Sequence, residues 1–150
     1  MLYTLGYTGC TPEEVQRLVL ELHAILVDAR LSPRSRVPHW NKGALAGLLG
    51  ERYLHVPGFG NVNYKSSGAI AIADYATGKE QVERLLAEGW VVVLLCACKD
   101  VAQCHRRVVA ERLLEDLGHL PGVSLTHLAA EEPRRQERSG TPAPGQLRLF

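Results

Sequence analysis

Apolar positions along this chain alternate between two periodicities. Five short runs read as strands: 2–6, 24–28, 53–56, 91–97 and 123–128. The most continuous of them, the run ending in Cys96 and Ala97, has the unbroken apolar character of a strand covered on both faces of a sheet. Between them the spacing becomes helical. Val15, Leu18, Val19 and Leu22 mark a helix that opens at Thr11-Pro12, with Thr11 as N-cap and Glu13 and Glu14 at its positive end. A short helix is expected over 41–49 on Leu45, Leu48 and Leu49. Two helical segments, 68–76 and 79–88, are expected with an interruption at Thr77-Gly78, the second ending at Gly89. A last helix is expected over 101–117, with Asp100 as its N-cap and Val108, Val109, Leu113 and Leu117 on its apolar face.

Strands that alternate with helices imply right-handed βαβ crossovers and a parallel sheet covered on both sides. The fold class expected is therefore α/β: a three-layer, Rossmann-like sandwich with a mostly parallel sheet of about five strands. It occupies residues 1–128 as one domain. Beyond Leu128 the composition shifts to Glu, Arg, Pro, Gly and Ser, so 129–145 is expected to be a flexible tail, and the last five residues, 146–150, turn apolar again.

Composition narrows the function classes. Hydrophobic residues make up 46% of the 150, charged residues 22%, and the net charge is +1, which rules out a basic coat over the whole surface. The N-terminus has no signal-peptide pattern, and the longest apolar run is too short to span a bilayer, so no membrane partner is expected. Four cysteines without an export signal suggest reduced thiols and a cytoplasmic location.

In a parallel sheet, ligands bind beyond the carboxyl ends of the strands. Four stretches should meet there: Gly6-Tyr7, Asp28 to Arg30, His55 to Gly60, and Cys96 to Arg107. Arg30, Arg34, Arg36, Arg106 and Arg107 would line an anion pocket for phosphate or carboxylate, although the same residues also fit solvated charges or a structural pair with Asp28. Asp28 ends a buried strand and needs a partner, with Arg30 and Arg106 as candidates; it is also a candidate acid or base. His55 and His105 are candidates for proton transfer. Cys104, expected in the first turn of a helix beside two arginines, is placed either as a nucleophilic or redox-sensitive thiol or as a small buried apolar residue; Cys96 reads as core. Cys96, Cys98, Cys104 and His105 have a poor spacing for zinc, so no metal and no cofactor is expected. There is no P-loop, no G-x-G-x-x-G, no G-x-S-x-G and no C-x5-R.

The blocks TLGYTG, LVDARLSPRSR, YLHVPGFG, VVVLLCACKDVAQCHRRVVAERL and LTHL follow one another from Thr4 to Leu128. In this order they resemble the family catalogued as domain of unknown function 488, carried by small bacterial and archaeal proteins. The resemblance implies an α/β fold and a site built from Asp28, Arg30, Ser35, Arg36, His55, Cys96, Cys104, His105 and Arg106. It implies no particular reaction. Cys98 stands where the family usually has glutamate, and the residues after TLGYT also differ from its usual Ser-Asn continuation.

At the C-terminus, Gln146, Leu147, Leu149 and Phe150 match the pentapeptide Gln-Leu-x-Leu-Phe by which bacterial replication and repair proteins dock on the sliding clamp. A Pro/Gly-rich tether would give such a peptide its reach. The expectation is then an enzyme, a hydrolase on a nucleotide or nucleic acid, working in a setting like DNA repair. In it Arg30, Ser35, Arg36 and Arg106 hold the anion and Asp28, His55, Cys104 or His105 carries the chemistry. The alternatives are a non-catalytic nucleic-acid or protein binding module recruited to the clamp and, more weakly, a thiol redox or zinc protein.

Overall fold

The computed structural model describes residues 1–33, 35–63, 69–97 and 104–128. The expected tail 129–145 and clamp-like peptide 146–150 lie outside these residues, as do Arg34, Cys98 and the expected cap Asp100.

Five strands, β1 (Leu2–Gly6), β2 (Ala24–Asp28), β3 (Tyr53–His55), β4 (Val91–Cys96) and β5 (Leu125–Leu128), form one sheet in the order β3-β2-β4-β1-β5. Every pairing is parallel. Four helices, α1 (Pro12–Leu22), α2 (Lys42–Leu49), α3 (Tyr75–Ala87) and α4 (His105–Leu117), cover it. Side chains of α1 and α2 share one apolar cluster with Tyr3, Leu5, Leu26, Val93 and Leu95. Those of α3 and α4 share another with Leu2, Ile25, Val27, Val92 and Leu94. Successive strand residues point to opposite faces, so β2 and β4, buried along nearly their whole length, feed both clusters. The molecule is thus the three-layer α/β sandwich of the Rossmann-like class. No helix among the described residues is long and apolar enough to cross a membrane.

Two local departures from the sequence pattern have physical causes. The expected break at Thr77-Gly78 is absent, and α3 is continuous. Asp74 caps this helix, its carboxylate accepting from the Thr77 backbone N–H and from the Thr77 hydroxyl, so these residues make the first turn. Gly78 lies against the ring of Phe59, where a Cβ would collide, so here glycine permits close packing. Residues 69–74, expected to be helical, are not, and Ile72 there forms an isolated antiparallel bridge with Asn61.

The second departure is at α4, which begins at His105, not at Val101. Cys104 is its N-cap, in extended backbone, and is not part of the first turn. Arg106 joins Val109, Leu113 and Leu117 on the buried side of the helix, where Val108 had been expected. Elsewhere Thr11 forms a full capping box with Glu14, and Pro12 opens α1.

Connections out of β2 run along the α2 face toward β3, while those out of β4 run along the α4 face toward β5. The carboxyl ends of these adjacent strands therefore flank the point where the winding reverses, the usual location of a ligand crevice in such sheets.

Candidate functional site

The register places Asp28 beside both His55 and Leu95, and Gly6 beside Cys96. Asp28 and Cys96 are thus one residue out of step, and alternation turns them to opposite faces of the sheet. This separates the expected residues into two groups.

On the α1–α2 face, Asp28 is fully buried and completely engaged. Its Oδ1 accepts from Arg30 Nε at 2.8 Å and from the Arg30 backbone N–H at 3.2 Å. Its Oδ2 accepts from Arg30 Nη2 at 2.6 Å and from the Tyr53 hydroxyl at 2.5 Å. The fork-on-fork pair is the strongest geometry available to arginine and carboxylate. Burial works against the charge on Arg30, but the bonds to Asp28 outweigh it and raise the guanidinium pKa. Burial, then the bond to Asp28, pushes the Tyr53 hydroxyl far above its ordinary value. The guanidinium lies over the ring of Tyr7 at 5.4 Å, and Tyr7 stacks on Trp40 at 4.3 Å. Arg30 Nη1 is itself buried, with no acceptor among the described residues.

On the α4 face, Arg106 is 1% exposed and donates through Nη1 to the sulfur of Cys96 at 3.0 Å. The sulfurs of Cys96 and Cys104 are 2.7 Å apart. Arg107 turns outward toward Glu111 at 3.8 Å, and Arg36 is exposed on the loop after β2. The described arginines therefore do not gather into one anion pocket. Arg30, not Arg106, is the partner of Asp28.

Two histidines reach the chain leaving β2. His55 bonds through Nε2 to the carbonyl of Arg30 at 2.8 Å, and His105 through Nε2 to the carbonyl of Ala29 at 2.9 Å. A carbonyl only accepts, so in each neutral ring the proton sits on Nε2 and the lone pair on Nδ1. The chain leaving β2 is held by imidazoles at consecutive residues. His105 Nδ1 lies 3.9 Å from the sulfur of Cys104.

Beyond the end of β2 lies an open cleft of about 620 Å³, lined by Leu31, Ser32, Pro33, Ser35, Asn41, Lys42, Gly43 and His55. Of the expected residues that are described, Ser35 and His55 line it. Lys42, at the start of α2, had not been singled out, because its place depends on how α2 docks. Asn41, the N-cap of α2, makes no capping bond to the helix; its Oδ1 accepts instead from the Ser35 backbone N–H at 2.6 Å. The Ser35 hydroxyl accepts from the Val37 N–H, which closes the loop into a compact turn. A Cβ on Gly43 would meet nothing within 4 Å, so the first turn of α2 faces open space. Among the described residues no three His, Cys, Asp or Glu side chains gather as metal ligands.

Fold and site together define an α/β protein with an all-parallel sheet and a polar cleft formed by the loop after β2, the start of α2 and the end of β3. The chain belongs to the DUF488 family, "Domain of unknown function DUF488", whose model matches residues 15–113. No curated protein and no solved structure matches it.

Proposed function

We propose that this protein is an enzyme that binds a phosphate-containing substrate, a nucleotide or nucleic acid, in the cleft beside β2 and hydrolyses it. The observation that carries this reading is the lining of that cleft. Lys42, Ser35 and Gly43, at the start of a helix without a side-chain cap, line the space that His55 borders. A helix start without a side-chain cap, next to an ammonium group, attracts a phosphate oxyanion through dipole and charge together.

His55 is the acid–base group of this reading. Its Nε2–H is held by the Arg30 carbonyl, so its Nδ1 lone pair is available to take a proton from an attacking water. Asp28 acts one step back. It fixes Arg30, Arg30 fixes its own carbonyl, and the carbonyl fixes the ring. Asp28 and Arg30 are then positioning residues, and Lys42 takes the anion-binding role that the sequence had suggested for Arg30 and Arg106. The bond cleaved is a phosphoester or an N-glycosidic bond. The C-terminal Gln146, Leu147, Leu149 and Phe150 would bring the enzyme to DNA through the sliding clamp.

Turnover of a panel of nucleotides and short oligonucleotides tests this. His55→Asn should lower kcat by about 100-fold or more with little change in substrate affinity. Lys42→Ala should weaken binding by about tenfold, as expected for loss of one charged contact. Unchanged turnover in His55→Asn would overturn the catalytic role of His55, and binding without turnover by the unaltered chain would leave a binding module. Unchanged affinity in Lys42→Ala would remove the cleft as the site.

A further inference from the structure

We propose that Cys96 and Cys104 form a redox site: a buried dithiol that a peroxide oxidises to an intramolecular disulfide and a dithiol reductant restores. This inference concerns the opposite face of the sheet from the cleft and does not depend on the hydrolytic reading.

Geometry is the first support. Cys96 is the last residue of β4 and Cys104 is the N-cap of α4. Eight residues apart in sequence, their sulfurs approach to 2.7 Å, within an ångström of the roughly 2.05 Å of a disulfide bond. Both are nearly inaccessible, at 0% and 1% exposure, so a small oxidant is favoured over a protein disulfide. Closing the remaining gap joins a strand end to a helix start that already touch.

Charge is the second support. Arg106 points Nη1 at Cys96 from within the core, and a buried guanidinium needs negative charge nearby. Burial opposes the charge of Arg106, yet the two sulfurs outweigh it and raise its pKa. The arrangement fits a pair sharing one proton: Cys96 is the thiolate, accepting from Arg106, and Cys104 is the thiol, donating across 2.7 Å. The positive end of α4 and His105 Nδ1, at 3.9 Å, lie beside the same pair. Cys10 makes the contrast, because burial and then Glu14 push its thiol up to about 11, which keeps it protonated and unreactive.

The chemistry balances. The Cys96 thiolate attacks one oxygen of hydrogen peroxide; the S–O bond forms, the O–O bond breaks and hydroxide leaves. Cys104 sulfur then attacks the Cys96 sulfenic acid, the S–S bond forms, and its proton departs with the hydroxyl as water. Two electrons pass from the sulfurs to the peroxide. A dithiol restores both thiols by exchange and is itself oxidised to a disulfide.

The test uses the full chain carrying Cys10→Ser and Cys98→Ser, which leaves this pair alone. After peroxide treatment of the folded protein and labelling under denaturing conditions, both sulfurs should escape alkylation and the mass should fall by two hydrogens. Dithiothreitol should restore both labels. Arg106→Met should slow the oxidation by about tenfold, the effect of raising the thiol pKa by one unit. Arg106→Lys, which keeps the charge, should lose less. Two labels remaining after peroxide treatment of the folded variant, or a covalent dimer in place of the intramolecular bond, would overturn the proposal.

Discussion

Asp28 shows how one residue organises an edge of this protein. A carboxylate with no exposure is stable only if its oxygens are satisfied, and four donors from Arg30 and Tyr53 do this. Asp28→Asn should therefore cost about 3–5 kcal/mol in denaturant unfolding, because it leaves a buried guanidinium without its counter-charge. Tyr53→Phe should cost about 1–3 kcal/mol, the loss of one bond to a charged acceptor. The raised pKa values of Tyr53, Tyr75 and Cys10 make a further prediction. In each case the unfolded chain loses its proton first. Their contributions are complete below the unfolded values of about 9–10 and decline as the pH rises above them. The Tm should fall between about pH 9 and 11, and a flat profile would contradict these burials. His127, its pKa lowered by burial and by Arg106, has the opposite sign and subtracts stability as the pH drops below about 6.5. The need of Asp28 for a partner was legible, since a carboxylate ending an apolar run must be paired. The part played by Tyr53 was not, because it follows from the β2–β3 register.

At the scale of elements, the strands and most helix starts could be read directly. The unbroken apolar runs and the Thr11-Pro12 cap are local signals. The misreadings came where tertiary contact overrides local preference. Gly78 resembles a helix breaker, yet it is the residue that admits the Phe59 ring against α3. Gly78→Ala should consequently destabilise the protein by about 1–3 kcal/mol, although alanine is the better helix former. Gly47, on the exposed side of α2, has no such neighbour. Gly47→Ala should stabilise by about 0.5–1 kcal/mol. Thermal unfolding of the two variants checks both signs at once. The start of α4 was misplaced because Asp100 is a better N-cap by composition than Cys104. A preference for oxygen caps gives no weight to a sulfur held by a neighbouring strand.

At the scale of the whole molecule, the gathering of the candidate residues at one edge of the sheet was legible and their division between its two faces was not. Parallel winding brings Asp28, His55, Cys96 and His105 to one edge, as a sequence of alternating strands and helices implies. The single-residue offset between Asp28 and Cys96 then sends arginine–carboxylate chemistry to one face and sulfur chemistry to the other. No sequence pattern encodes that offset, since it is set by how β2 and β4 slide against each other. Arg30 and Arg106 are both buried, and the cleft beside β2 is lined by other residues.

The binding site can be mapped most directly by amide chemical-shift changes as a nucleoside monophosphate is titrated into the full chain. The cleft reading predicts saturable shifts centred on Ser35, Lys42, Gly43 and His55, and their loss in Lys42→Ala. Saturable shifts centred elsewhere, or none across the titration, would contradict it.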